Sequence, residues 1–405
     1  MVKSFPWIGL LSILLLLAGC ASPTTIPAAP SITPAAMTAK ATATAVSQAH
    51  PAVTNPAATA VPPNIPPAVE TDQAVTSEPI FRLTTTPAPG GIQDGAQAAY
   101  LDDRSTPTGL IRSLFNAINR KEYLRAYSYW ENAGNSPNVP PFSQFEQGYQ
   151  NTATVDVTIG VVGGDVGAGQ IYYTVPVVLQ VHTTAGKGQT FAGCYTLHLP
   201  RPDFQAAPPF QPLGIQMGLV KAASNSPNTD DLLSHACDGP DVRQTNPIHP
   251  SPVTNTTDLT ASNYLDDRSD PLLVLSSLFN AINRKEYVRA YSYWETPGES
   301  QTVPPFSQFQ QGYQETASVE ADYGAPVSGA AAGNIYYTVP TALKVLTTTG
   351  QTQTFVGCYT LHLAQPTVQA SPPFQPLGIK SAIIKQVSNI ANVTSLLGTA
   401  CQNVP

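Results

Sequence analysis

Apolar side chains recur at Leu110, Ile111, Leu114, Phe115 and Ile118, a spacing that puts all five on one face of a helix. Thr106 stands where an N-cap belongs and Pro107 at the first helical position, where its missing N–H loses nothing. A second stripe, Tyr123, Ala126, Tyr127 and Trp130, predicts another helix, and Phe142, Phe145 and Tyr149 predict a short third. From Thr154 onward the period falls to two. The stretches "TVDVTIGV", "QIYYTVPVVLQVHTT", "QTFAGCYTLHL" and "LGIQMGLVKA" read as strands. Helices followed by consecutive strands predict an α+β fold with an antiparallel sheet rather than a wound parallel one.

The whole pattern then repeats. "YLDDRS…SLFNAINRKEYLRAYSYWE" from Tyr100 returns as "YLDDRS…SLFNAINRKEYVRAYSYWE" from Tyr264, an offset of 264 − 100 = 164 residues that also relates Cys194 to Cys358, Phe210 to Phe374 and Cys237 to Cys401. Solenoid repeats run to about 20–50 residues, so this period marks a duplicated domain. The expected copies are 100–237 and 264–405, joined by a Pro/Asn/Thr-rich linker, 238–263. The second copy offers Asp270 and Pro271 as cap and first helical residue. Asp156 to Gly167 and Gln216 to His235 have drifted most between the copies, which suggests exposed loops and a peripheral C-terminal element. The "FNAINRKEYxRAYSYW" helical pair with a curved sheet after it resembles the nuclear transport factor 2-like superfamily, which includes ketosteroid isomerase. That resemblance implies two tandem cone-shaped domains, each with its helices packed on the sheet.

Ahead of the copies the chain changes character. Residues 1–20, "MVKSFPWIGLLSILLLLAGC", read as a signal peptide: a lysine, an apolar run too short for a spanning helix, and small residues before Cys20. "LAGC" resembles the lipobox of bacterial lipoproteins, which implies cleavage before Cys20, lipidation of its thiol and a lipid anchor on the extracytoplasmic face of a membrane. Residues 21–99 are dominated by Ala, Thr, Pro and Ser and bury too little to repay ordering. They read as a disordered tether, with a reach from roughly 50 Å as a coil to over 200 Å as polyproline II. Cell-wall or surface polymer, or another envelope protein, are the partners such placement suggests. The net charge of −7 argues against nucleic acid.

Setting Cys20 aside leaves four cysteines, Cys194, Cys237, Cys358 and Cys401. In an oxidising compartment they are expected to pair as Cys194–Cys237 and Cys358–Cys401, each tying a C-terminal segment to the sheet. The rival reading, a zinc site, lacks CxxC spacing and a nearby histidine pair. Strand alternation divides "GCYTLHL" into Tyr195, Leu197 and Leu199 facing the core and Cys194, Thr196 and His198 facing outward. His198 and its counterpart His362 are therefore expected to be structural or solvent-facing. His182 and His235 are matched by Leu346 and Thr399, so neither belongs to a site shared by both copies.

Asp102, Asp103 and Arg104, repeated as Asp266, Asp267 and Arg268, precede the first helix and read as partners of its dipole and of one another, with nothing placing them inside. Isomerase-type catalysis needs a buried carboxylate. Asp156 and Glu320 are the strand acids, but they are out of phase with Val155 and Val157 and are expected to be exposed. The aromatic set Tyr127, Trp130, Tyr149 and Tyr173, mirrored by Tyr291, Trp294, Tyr313 and Tyr337, is the candidate ligand-binding site: either ordinary core, or the wall of a pocket for an apolar or carbohydrate-like ligand. No motif implies a cofactor or a metal. The expected function is a membrane-anchored lipoprotein presenting two duplicated non-catalytic binding or scaffold domains. The alternative is an enzyme or small-ligand carrier with one aromatic-lined pocket per domain.

Overall fold

The computed structural model describes residues 99–402 except 137, 224–227, 244, 248–263, 299–302 and 389–391. The expected signal peptide, Cys20, nearly all of the tether and most of the linker lie outside the described residues. In the first repeat the helices are α1 (Pro107–Asn119), α2 (Tyr123–Ser128) and α3 (Phe142–Gly148). Thr106 caps α1 by accepting from the Gly109 N–H at 2.9 Å. The five apolar residues of the predicted stripe are all buried. The second helix is shorter than its stripe and is buried more widely: Leu124, Arg125, Ala126 and Tyr127 are all inside, whereas Trp130 falls beyond its end and forms a parallel bridge with Ile215.

The strands are β1 (Thr152–Ile159), β2 (Gly163–Gly167), β3 (Gln170–Thr183), β4 (Gly188–Pro200) and β5 (Gly214–Ala222). They form an antiparallel sheet ordered β5-β4-β3-β2, in which the long β3 pairs β2 along its first half and β1 along its second. The predicted strand "TVDVTIGV" falls largely on β1, whereas the rest of the drifted stretch up to Gly167, read as exposed loop, holds a further strand, β2. The glycine-rich composition of β2 hides the period of two. Tyr195, Leu197 and Leu199 join Leu110, Leu114 and Ile118 in one core. Gly193 is required by the sheet itself, because a Cβ there would run into the Leu219 carbonyl of β5.

Beyond β5, α4 (Thr229–His235) lies against β3 and β4 on the outer face. The disulfide Cys194–Cys237 closes that segment onto the sheet, and Cys358–Cys401 does the same in the second repeat, each across a separation of 43 residues. Cys194 and Thr196 point outward as expected but are buried. The early part of the expected linker is not free either. Val242 is buried, and the two-residue strand β6 (Asn246–Pro247) pairs with β2.

The second repeat follows the same plan: α5 (Pro271–Asn283), α6 (Tyr287–Ser292), α7 (Phe306–Gly312), β7 (Thr316–Tyr323), β8 (Val327–Ala331), β9 (Asn334–Thr347), β10 (Thr352–Ala364), β11 (Gly378–Val387) and α8 (Val393–Leu397). Asp270 caps α5, accepting from the N–H groups of Leu272 and Leu273. The sheet is antiparallel, β11-β10-β9-β7, with β8 also on β9. The protein is therefore α+β, with two antiparallel sheets, each preceded by helices. No helix among the described residues is long and apolar enough to cross a membrane.

The two "YLDDRS" segments meet. The Arg104 N–H donates to the Asp266 carbonyl at 2.8 Å and the Arg268 N–H to the Asp102 carbonyl at 2.7 Å. The Asp102 N–H donates to Ser269 Oγ at 2.8 Å and the Asp266 N–H to Ser105 Oγ at 2.9 Å. Asp103 and Asp267 face each other at the centre of this antiparallel bridge. Every contact has its reciprocal, the signature of a twofold-related interface.

Candidate functional sites

The acids expected at the surface are inside. Asp102 is 2% exposed and Asp266 3%. Asp102 accepts from the hydroxyls of Tyr129 at 3.0 Å and Tyr100 at 3.2 Å, and Asp266 from Tyr293 at 2.9 Å and Tyr264 at 3.3 Å. Burial first, and then the neighbouring carboxylate, raise all four tyrosine pKa values, so these hydroxyls remain donors. Behind them, Glu122 holds Arg120 at 2.8 Å and Arg125 at 2.6 Å. Arg125, fully buried, also donates to Asn116 Oδ1 at 2.8 Å, to the Leu101 carbonyl and to Tyr129 Oη at 3.1 Å, with its plane 4.4 Å over the Tyr100 ring. Arg120 and Arg125, with Arg104 3.9 Å from Asp102, offset the charges of Asp102 and Glu122 in a site where an unpaired ion would not be tolerated. Glu286, Arg284, Arg289 and Asn280 reproduce this network.

Where the two networks approach, a cleft of about 240 Å³ lies between the repeats, lined by the pairs Asp102/Asp266, Arg104/Arg268 and Phe210/Phe374 with their neighbouring serines and prolines. Arg104 stacks on Tyr129 at 4.7 Å and donates to the Ser128 carbonyl at 3.1 Å, so its guanidinium is held rather than free to follow a ligand. Small-molecule pockets run to about 300–1,000 Å³, which makes this cleft small for one. Beside it, burial raises the Asp103 pKa, and burial reinforced by the Asp103 and Asp102 carboxylates pushes Asp267 up to about 7 against the hydrogen bonding of Ser269.

The nominated aromatic residues are dispersed. Tyr127 is buried, with its hydroxyl on the Pro140 carbonyl at 2.9 Å and its ring against Phe142 and Phe145; Tyr291 repeats this with Pro304, Phe306 and Phe309. Tyr173 and Tyr337 are core residues. Trp130 and Trp294 pack on Tyr195 and Tyr359, each with a buried indole N–H that has no hydrogen-bond partner among the described residues. Tyr313 stacks on Tyr287 and Tyr149 on Tyr123. Of the first repeat's four, Tyr149 borders a cavity of about 90 Å³, shared with Phe115, Leu179, Val181, Phe191, Tyr195 and Val220. That is room for about three water molecules. Burial pushes the Tyr149 pKa up to about 12, and no acid or histidine lines the cavity, so it holds no proton-transfer pair.

His198 does more than the strand pattern implies. Its Nδ1 lies 2.7 Å from Glu131 Oε1, its Nε2 2.5 Å from Gln170 Oε1, and its ring stacks on Tyr172 at 4.6 Å. His362 repeats the cluster with Glu295 at 2.6 Å, Asn334 at 2.8 Å and Tyr336 at 4.6 Å. Both ring nitrogens are engaged, which leaves neither for a substrate, and the cluster pins the corner after α2 to the sheet. Asp156 and Glu320 are exposed as expected, beside His182 at 3.8 Å and Lys344 at 3.6 Å.

Sequence reasoning missed both polar clusters. A Glu122–Arg125 pair at i, i+3, spanning the cap and first turn of α2 and repeated as Glu286–Arg289, was the available signal for the first. Nothing local announces the His198 partners, which lie 67 and 28 residues away. No protein-family model matches the chain, and no curated protein matches it. Among solved structures, a cystatin-like protein from Ruminococcus gnavus ATCC 29149 aligns over 73% of this chain and 82% of its own at 10% identity, with a TM-score of 0.17. A superposition that loose bears on neither fold nor function.

Proposed function

We propose that the protein is a lipid-anchored extracytoplasmic lipoprotein whose two nuclear transport factor 2-like repeats present duplicated binding surfaces to a surface polymer or an envelope protein, without catalysing a reaction. The observation that carries the binding role is the filled interior: the aromatic residues that would line a pocket are mostly engaged in packing and hydrogen bonding, so what the repeats have to offer is their outside. The two disulfides fit an oxidising, extracytoplasmic environment. The "LAGC" motif ending at Cys20 supports the anchor, and duplication raises avidity for a repeated target.

The anchor is tested by metabolic labelling with an alkyne fatty acid: the parent takes up label and Cys20→Ser does not. Equal labelling of both removes the anchor. The binding role is tested by co-sedimentation with purified cell-wall polymer and by crosslinking in intact envelopes. Recovery of the protein with neither polymer nor envelope protein counts against it.

A further inference from the structure

The two repeats differ at one sheet edge. In the first, residues 242–247 return over the sheet: Val242 is buried, Arg243 lies 3.7 Å over the Tyr172 ring and 2.9 Å from Asp165, and β6 covers β2 through the pairs Gly163↔Pro247 and Gly164↔Asn246. In the second, β8 pairs with β9 alone among the described residues, and all five of its residues are exposed. Val327, which stands at the place of Gly163, is 65% exposed. A strand edge with open N–H and C=O groups recruits a further strand unless charge, proline or a bulge guards it. No charged residue stands between Asp322 and Lys344, so β8, "VSGAA", carries no such guard of its own.

The hairpin fixes which groups of β8 face that edge. Ala332 and Gly333 make a two-residue turn with positive φ at both, 49° and 79°, and Ala331 stands opposite Asn334 across it. This is the type I′ geometry that joins tight hairpins, in which the Ala331 carbonyl accepts from the Asn334 N–H. Alternation along the strand then turns the backbone groups of Val327, Gly329 and Ala331 toward β9, and those of Ser328 and Ala330 toward the open edge.

We propose that β8 is a contact between two copies of this chain, in which the β8 of a second copy adds antiparallel about a twofold axis through Gly329. In that register Ser328 and Ala330 exchange hydrogen bonds with Ala330 and Ser328 of the second copy, so each edge-facing donor and acceptor finds its mate. Val327 comes beside Ala331 of the second copy, a large side chain against a small one on the same face. At the centre Gly329 meets itself in a non-hydrogen-bonded pair, the closest approach of an antiparallel ladder, with Cα atoms about 4.5 Å apart. The first repeat cannot associate in this way. Asp165 holds the place of Gly329, two carboxylates would meet at the axis, and the edge is already closed by β6, with Asp165 on Arg243. What selects a second copy as the occupant is that β8 complements itself in size, charge and hydrogen-bond phase. Two strands of five residues make a small contact that separates on dilution. This inference does not depend on lipidation or on any ligand.

Sedimentation, and hydrogen exchange read by mass spectrometry, test it on the full chain in mild detergent with micelles in excess. Between about 2 μM and about 200 μM the sedimenting species should shift from one chain to two, and the β8 segment Val327–Ala331 should slow its exchange about tenfold while β2 exchanges alike throughout. Gly329→Asp gives β8 the residue that β2 carries at this place within an intact strand. It should abolish both changes and leave β2 exchange as in the parent, which reports that the variant is folded. A parent that remains a single chain at the highest concentration overturns the proposal, and so does association that Gly329→Asp leaves unchanged. Slow β8 exchange at every dilution assigns the edge to another segment of the same chain and overturns it as well.

Discussion

Asp103 and Asp267 meet at the centre of the inter-repeat bridge, and their consequence is a pH dependence with a definite sign. An unfolded aspartate titrates near 3.9, whereas folded Asp267 titrates at about 7, first because it is buried and then because Asp103 and Asp102 face it. Between these values the folded state holds a proton that the unfolded state has released, so stability falls as pH rises from about 4 to about 7. Nearby Arg104 and Arg268 do not relieve the carboxyl, since their guanidinium groups are turned to Ser128, Ser292 and Leu377. Asp267→Asn should flatten this slope, as read from urea midpoints measured between pH 4.5 and 8. An unchanged slope would assign it to other groups. Arg125 shows why residue-level reading stops short: an arginine between Leu124 and Ala126 looks like a solvent-facing helix position, and only the tertiary placement of Glu122, Asn116 and Leu101 makes its burial tolerable.

At the scale of elements, the disulfides bear the clearest energetic consequence. In α4 no residue is buried, so its own apolar surface holds it to the sheet weakly. Closing a loop of 43 residues contributes about 4 kcal/mol in the chain-entropy model. Replacing both Cys194 and Cys237 with alanine should lower the unfolding free energy by about that much in urea titrations, and a loss below about 1 kcal/mol would show that the closure does little. Much at this scale was legible. The apolar spacing of α1 and the alternation in "GCYTLHL" come from local geometry that the fold retains, and the cysteine pairing follows from one pair recurring in each copy with Cys194 on the outer strand face. What was not legible depends on partners distant in sequence. The strand β2, "GGDVG", has almost no side chains with which to announce a face, and the pairing of β6 with it is a contact across some eighty residues.

At the scale of the whole molecule, the repeats are joined by backbone and serine hydrogen bonds as well as by the connecting chain. Ser105→Ala with Ser269→Ala leaves the Asp102 and Asp266 N–H groups without their acceptors, a loss of about 1 kcal/mol or more each. The double variant should melt roughly 4 °C lower in calorimetry, and an unchanged Tm would mean that this joint is not formed in solution. The aromatic site read from sequence fails to gather at this scale because a helical stripe and a strand face specify which residues turn inward, not whether space is left between them.

The reciprocity of that joint also bears on descent. When Arg104 reaches Asp266 and Arg268 reaches Asp102, each half offers the other one and the same surface, which is how two copies of a single-repeat ancestor would associate as a homodimer. Joined in one chain, the two halves associate independently of concentration and need not stay identical. Gly163 beside Thr245 and the exposed Val327 occupy one repeat position in two different settings, a divergence that a joined pair tolerates.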